Sequence, residues 1–540
     1  MSDHKLEAAA TAAATRVVLN SASLTAVSFV DQGYETSPPP MLPDLLAAGL
    51  ASGLANRLRQ LTGIRVQAAC ALQQLQALRQ CTGLTNLDIS GSDLQDCPAA
   101  NLAAALQAMP GLTRLHLCSC TLQSQRVAAA LGSALQSLTR LQHLHLARSR
   151  LRQAGLAALV PALSAMPDLQ TLDVGATSMP ASGPQGANAL CTLLGAVPGL
   201  THLDVSFSRL QDGGTLLLAA VLRSMTRLQT LNMYGSHLGD AGMLILAPAL
   251  AELPHLHTLD LCGNELGASA VSMLRLVLAK EGSSLRNLDL GFNGFKMEGA
   301  QLLASGLSTA TQLQGLSLEQ TWLGDEGWVA LAPALSCLGP SLQSLQLGPG
   351  SLDDAGSVAL AAALHALTGL THLKVTSYLQ STAIATISPA LMGMRRLQAL
   401  EVSGTPMRPQ GTAAFAAALP AIAGSLKHLN LTSCRIDVEA AATALAPALA
   451  QATGLVELRL ANNDLGAQGV QWLATVLGAL PHLRTVDLWS CKIGVEGCMA
   501  VARALKDRDG ALVYLACNGV NIHSIEGDEL RNMPGISIVL

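Results

Sequence analysis

His116, His143, His145 and Asp173 are the residues of this 540-residue sequence best placed to do chemistry together. His116 and His145 hold the same place in two successive copies of one motif. His143 stands two residues before His145, and Asp173 takes the equivalent place in the next copy. Imidazole and carboxylate are both zinc ligands, and a zinc site needs three or four of them about 2 Å from the ion. On neighbouring strands about 4.8 Å apart the four would meet. A flat strand surface rarely closes tetrahedrally around an ion, so the preferred reading is a polar face that uses histidine for hydrogen bonding, with no metal. The cysteines, 12 in all, are irregularly spaced. CxxC is absent and the one close pair is Cys118 and Cys120. The sequence holds no phosphate-cradling G-x-x-x-x-G-K-[ST], no H-E-x-x-H and no G-x-S-x-G. These absences predict neither enzyme nor cofactor, and no small-molecule ligand.

The element that positions these histidines is a repeat. From Leu84 the pattern L-x-x-L-x-L-x-x-(N/C/S/T)-x-L recurs, clearest from Leu256 to Leu266 and from Leu455 to Leu465. Sixteen copies start between Leu84 and Leu512, and successive starts differ by 28 or 29 residues, with 31 once and 27 once. Chance does not hold such a period over this length. The L-x-L alternation predicts a short strand with its leucines inward. The polar slot lies where the chain leaves the strand. Asn264, Asn293 and Asn463 there can satisfy backbone groups otherwise buried unpaired. Cys120, Cys434 and Cys491 in the same slot read as structural thiols. Leu238-Gly-Asp-Ala-Gly242 and Leu323-Gly-Asp-Glu-Gly327 predict a turn whose Gly-Asp opens and N-caps an alanine-rich helix.

A strand and a helix alternating at this period predict an α/β solenoid with parallel strands on a concave face and helices on a convex one, a horseshoe. The composition fits a lattice: the chain is 50% hydrophobic but only 2% aromatic and 13% charged. The period, the Asn/Cys slot and the L-G-D-x-G turn resemble the ribonuclease-inhibitor class of leucine-rich repeats, which also forms the sensor arrays of NOD-like receptors and the Ran GTPase-activating proteins. The resemblance covers Leu84 to about Ile522. It implies a non-enzymatic scaffold that binds a protein through its concave face. A structural subunit of a cytoskeletal assembly such as the ciliary axoneme is the alternative. A GTPase activator is disfavoured, because no residue here matches the functional asparagine or loop arginine and the tail is not acidic.

Residues 1–83 read as an N-terminal cap with degenerate repeats, 84–522 as the array and 523–540 as a C-terminal cap. Leu24-x-x-Val27-x-Phe29 and Leu61-x-x-Ile64-x-Val66 are the degenerate copies, Ser37 to Pro40 a break between them, and Asp528, Glu529 and Arg531 a polar closing segment. Met1 to Arg16 lacks the basic start and continuous apolar run of a secretory signal, which predicts a cytoplasmic protein with reduced thiols. Pro333, Pro340 and Pro349 interrupt the uncharged stretch from Gly327 to Leu352, so no membrane span is expected despite a mean hydropathy of +0.38. A net charge of -4 leaves no basic surplus for nucleic acid.

The binding face is expected at the outward residue between the two strand leucines. Along the array that position carries an acidic ladder, Asp173, Asp204, Asp260 and Asp289, broken by Asn232. Like charges on neighbouring strands repel, and a basic protein partner would relieve them. Phe207, Tyr234 and Phe292 stand just past the same strands, and aromatic anchors in a charged surround are the make-up of a binding hot spot. Trp489 and Asp487, close to Arg459, form a second candidate contact.

Overall fold

The computed structural model describes residues 26–28, 58–66, 71–177, 183–280, 282–348, 352–376, 379, 381–436, 438–505, 513–516 and 536–539. Two compact units divide the chain, Met1–Asp260 and Leu261–Leu540. In both, a strand of three to five residues alternates with a helix. Each described strand pairs in parallel with the next in sequence, from Ala26–Ser28 to Thr258–Asp260 in the first unit and from Asn287–Asp289 to Ile536–Val539 in the second. Helices of successive repeats pack on one another. The result is a two-layer leucine-rich-repeat solenoid in each unit.

Alternation explains the layering. In Arg114–His116 only Leu115 faces inward, and it pairs with Leu144 of the next strand; both are fully buried. Burying each such leucine contributes about 1.5–3 kcal/mol before the entropy of ordering is counted. The helices add alanine and glycine on their packed side, such as Ala128, Gly132 and Ala134 of Gln125–Leu135. Small residues let neighbouring helix axes approach closely enough to keep pace with the strand ladder beneath them.

The polar slot works as its chemistry requires. Asn463 is fully buried. Its Nδ2 donates to the carbonyls of Leu431 at 2.8 Å and Leu460 at 2.7 Å, and its Oδ1 accepts from the amides of Cys434 at 3.1 Å and Ile436 at 3.2 Å. One side chain thus ties two successive repeats through groups that lie out of water. Asn293 repeats the arrangement toward Leu261, Leu290, Asn264 and Leu266.

Two expectations need correction. The first helix turn is not capped by its aspartate. Helices Gly239–Glu252 and Gly324–Cys337 have Leu238 and Leu323 at the N-cap with no side-chain cap bond, and Asp240 and Asp325 lie inside the first turn. The glycine of the Gly-Asp pair is the residue the turn demands: Gly239 and Gly324 take φ of +58° and +68°, where a Cβ is disfavoured. The Asp325 carboxylate instead accepts the Asp353 amide of the next repeat at 2.7 Å. Second, the repeat frame near residue 61 starts three residues earlier: Leu61 pairs with Leu87, so the copy begins at Leu58. Beyond the array's last copy a further strand, Ile536–Val539, pairs in register with Val513–Ala516. The break at Ser37 to Pro40 and the polar residues Asp528, Glu529 and Arg531 lie outside the described residues.

Candidate protein-binding face

Parallel register sets the outward residues in rows. In the first unit Asp88, His116, His145, Asp173, Asp204, Asn232 and Asp260 are successive partners. In the second, the row runs Asp289, Ser317, Gln346, Lys374, Glu401, Asn430, Arg459 and Asp487. The acidic ladder is therefore described in two parts, with Asp173, Asp204 and Asp260 in one unit and Asp289 in the other.

These aspartates have a local task that the charge pattern concealed. One carboxylate oxygen of Asp204 accepts the amide of Ser206 at 2.8 Å. Asp88, Asp173, Asp289 and Asp487 accept in the same way from Ser90, Gly175, Gly291 and Trp489. Asn232 and Asn430 do it with an amide oxygen, toward Tyr234 and Thr432. An acceptor two residues before the donor closes an Asx turn where the strand ends. Either Asp or Asn serves, so the negative charge is surplus to the turn. Asn232 does more than break the ladder: its Nδ2 donates to the second oxygen of Asp204 at 2.6 Å and screens it from its neighbour.

Three residues past the row positions, wherever that residue is described, the backbone enters the left-handed region, at Ser119, Arg148, Ala176, Phe207, Phe292, Ser433, Asn462 and Ser490 among others. The turn points each i+3 amide at the next repeat: Phe207 donates to the Tyr234 carbonyl at 2.7 Å and Phe292 to that of Glu319 at 2.6 Å. A bulky side chain is costly there, yet Phe207 and Phe292 occupy it at φ of +55° and +53°. Phe207 meets Tyr234 edge-to-face, ring centroids 4.9 Å apart. A Cβ on Gly235 would stand 2.8 Å from the Phe207 ring, so glycine there lets the ring lie down over the turn. Phe207, Tyr234 and Phe292 are 39%, 37% and 55% exposed.

The histidines come together as a stacked pair beside a hydrogen-bonded third. His116 and His145 stack face to face, centroids 4.3 Å apart and planes 3° from parallel. His145 Nδ1 stands 3.5 Å from Asp173, while His143 turns its Nδ1 to the Thr171 hydroxyl at 2.9 Å. Stacked rings offer faces to one another rather than convergent nitrogens. Burial, then the neighbouring His145, holds His116 below the ordinary pKa of 6.5; burial, then Arg114, does the same for His143. As pH falls through 6.5 the unfolded chain takes these protons first, so native stability is retained above that pH and lost below it. The urea midpoint of the wild type is expected to drop from pH 7.5 to 5.5 more steeply than that of a His116→Gln/His143→Gln variant; equal slopes would remove these histidines as the cause.

At the second candidate contact, Arg459 stands beside Asp487 in register, as expected. Its Nε bonds Glu457 of its own strand at 2.6 Å. Asp487 caps the Trp489 amide, and Trp489 is 43% exposed. Sequence reasoning missed Trp322, the most exposed large apolar side chain described, at 72% and φ +55°. It stands five residues past its row position, where the backbone is left-handed a second time. Also missed was a hollow of about 300 Å³ on the strand face of the second unit, floored by Ala399 and bordered by His372, Lys374, Glu401, His428 and Arg459.

A family model described as Leucine Rich repeat matches residues 283–304, 425–443 and 479–502. Ribonuclease inhibitor from Sus scrofa is 29% identical over 42% of this chain and 50% of its own length. Ribonuclease inhibitor from Mus musculus is 27% identical over 41% of this chain and 43% of its own. NACHT, LRR and PYD domains-containing protein 5 from Homo sapiens is 34% identical over 25% of this chain and 11% of its own. By these matches the chain resembles ribonuclease inhibitor in its leucine-rich repeats. It spans half or less of the length of each curated relative it matches. A solved internalin from Listeria monocytogenes aligns over 83% of this chain and 89% of its own at 18% identity, with a TM-score of 0.35.

In this leucine-rich-repeat protein the slot cysteines are structural. Cys120, Cys434 and Cys491 are buried and donate to the carbonyls of Ile89, Val402 and Leu460 at 3.4, 2.7 and 3.1 Å. Burial pushes the Cys120 and Cys434 thiols up to about 12 and Cys491 to about 11. A thiol so held is a poor nucleophile at neutral pH. Among the described cysteines only Cys337 is exposed. A maleimide at pH 7.5 is therefore expected to label Cys337 first, with the slot cysteines protected until urea unfolds the chain; rapid labelling of Cys434 in the folded protein would refute the structural role.

Among the described residues no helix is long and apolar enough to cross a membrane.

Proposed function

We propose that this protein is a non-enzymatic, cytoplasmic binding module that grips a basic protein through its outward strand face. The carrying observation is Phe207: a large aromatic held in a left-handed backbone, partly exposed and edge-to-face with Tyr234, beside the half-buried carboxylates of Asp173, Asp204 and Asp260. The repeat turn sets the left-handed backbone and so holds the ring in one place, and an aromatic pair beside surplus negative charge suits a partner with a basic rim around an apolar centre. Ribonuclease inhibitor, by its name, acts on another protein, which supports the same class of role here. Asp289 with Phe292, and Trp489 with Asp487 and Arg459, are proposed as further contacts on the second unit.

The Asx turns dictate the test. Changing Asp173, Asp204 and Asp260 together to Asn removes three charges and keeps an oxygen for the turns at 173 and 204, as Asn232 and Asn430 do natively. At 204 it also gives up the bond from Asn232, so Asn232→Ser is added to the variant to relieve the clash of two amide groups. A lysate pull-down with mass spectrometry is expected to recover a basic protein with the wild type. Capture should weaken in this charge-removed variant, in Phe207→Ala and at high salt. Undiminished capture by both variants would show that this face is merely solvated.

A further inference from the structure

The hollow on the second unit has the form of a receptor for one side chain. Register places His372, Ala399 and His428 side by side on three parallel strands. With strands about 4.8 Å apart, the two histidines root roughly 10 Å from each other, and the methyl group of Ala399 leaves a gap one strand wide between them. Both imidazoles are anchored through Nδ1, His372 on the Thr371 hydroxyl at 2.9 Å and His428 on Glu457 at 3.0 Å. The walls are thus fixed by bonds that lie outside the gap.

Glu401 closes the end of the gap, on the same strand and face as Ala399. Its described hydrogen bond comes from the Ser403 hydroxyl at 3.1 Å, and among the described residues no cation pairs with it. The nearby cations are committed elsewhere. Lys374, its partner in register, reaches across an intervening strand to Glu319 at 2.9 Å, and Thr376 holds the other Glu319 oxygen at 2.8 Å. Arg459 and His428 both bond Glu457. Burial alone would raise the pKa of Glu457, but those two bonds outweigh it and hold the carboxyl below its usual range, so Glu457 keeps both partners. One half-buried carboxylate is left without a counter-charge, facing a gap walled by two aromatic rings.

We infer that this gap is a recognition site for an arginine side chain presented by a protein partner. The arginine stem would lie over Ala399 between the imidazoles, and the guanidinium would meet Glu401. A planar, weakly hydrated guanidinium stacks on ring faces and pairs a carboxylate through two parallel bonds, whereas an ammonium does neither as well. The inference rests on the proposal that the strand face binds protein, but His372, Ala399, Glu401 and His428 are none of the residues tested there and lie in the other unit from Asp173, Asp204, Asp260 and Phe207.

The test uses the full chain and a small probe. Histidine is labelled with 13C at Cε1, and the signals of His372 and His428 are assigned from His372→Asn and His428→Asn variants. N-acetyl-arginine methylamide, its lysine counterpart and its leucine counterpart are titrated in parallel. The arginine probe is expected to shift those two of the 13 histidine signals saturably. Glu401→Gln should weaken it about tenfold or more, the loss expected when a charged hydrogen-bond partner is removed. Ala399→Leu should abolish the shifts by filling the gap, with the fold checked by circular dichroism. The inference is overturned if the leucine probe does as well, if lysine binds equally, or if Glu401→Gln binds unchanged. Because the pull-down on Asp173, Asp204 and Asp260 is read separately, a silent arginine probe removes the gap alone and leaves the binding-module proposal to its own test.

Discussion

Asn463→Ala is expected to destabilise the second unit by about 3–6 kcal/mol. The substitution leaves the amides of Cys434 and Ile436 and the carbonyl of Leu431 stripped of the Asn463 bonds at a fully buried side chain, while the Leu460 carbonyl keeps only the weak Cys491 thiol. Each buried group stripped of its bond costs about 1–3 kcal/mol, eased by local relaxation. Repeat arrays open in segments, so a single global midpoint would understate the effect. Hydrogen exchange at the Cys434 and Ile436 amides reads it directly, and both should lose protection by two orders of magnitude or more. Asn463→Cys should recover part of the loss, because a thiol donates to the carbonyls as Cys434 does to Val402, but cannot replace an acceptor for two amides. If Asn463→Ala exchanges like wild type, the slot is filled by water and the asparagine is dispensable.

The slot was legible in the sequence because it obeys the period. Any residue whose role is set by the lattice leaves a signature every 28 or 29 positions, and strand, inward leucine and slot all do. The frame failed only near Leu61, where Ile64 and Val66 are also buried and imitate the spacing of the true copy starting at Leu58. Helix opening was misread for a related reason. Gly-Asp looks like a cap, but the glycine is there for its left-handed backbone, a fact that belongs to geometry and not to pattern.

The binding face was legible as a row of positions and illegible as a set of contacts. Aspartate at the row position looked like charge placed for a partner, yet its first task is to close the Asx turn, and only the asparagines at 232 and 430 separate the two roles. Arg459 lies beside Asp487 as its place in the row predicts, but its bond goes to the glutamate two residues before it on its own strand, which the row alone does not show. The gap over Ala399 had no sequence signal at all. It exists because a small residue falls between two histidines on strands that are neighbours in space and about 28 residues apart in the chain. Trp322 was invisible because the five-residue offset from its row position means nothing until the second left-handed turn is seen.

Gly132→Ala should reverse the sign that helix propensity assigns to it. In an exposed helix interior, alanine for glycine stabilises by up to about 1 kcal/mol. Gly213 in Gln211–Leu222 is such a site, since a Cβ there meets nothing within 4 Å, and Gly213→Ala serves as the control. At Gly132 the new methyl would drive into the backbone carbonyl of Ala158 on the next helix, Arg152–Leu163, which has no flexible end to yield. Overpacking of this kind costs about 1–3 kcal/mol, so urea denaturation should find Gly132→Ala less stable than wild type and Gly213→Ala equal or better. The helix Gln125–Leu135 joins the strands that carry His116 and His145, so prising it from its neighbour should disturb their 4.3 Å stack. A change in the His116 and His145 resonances, absent in the control, would tie helix spacing on one layer to side-chain geometry on the other. Unchanged resonances with lowered stability would mean that the strands hold register by themselves, and that the face is set by its own hydrogen bonds rather than by the helices behind it.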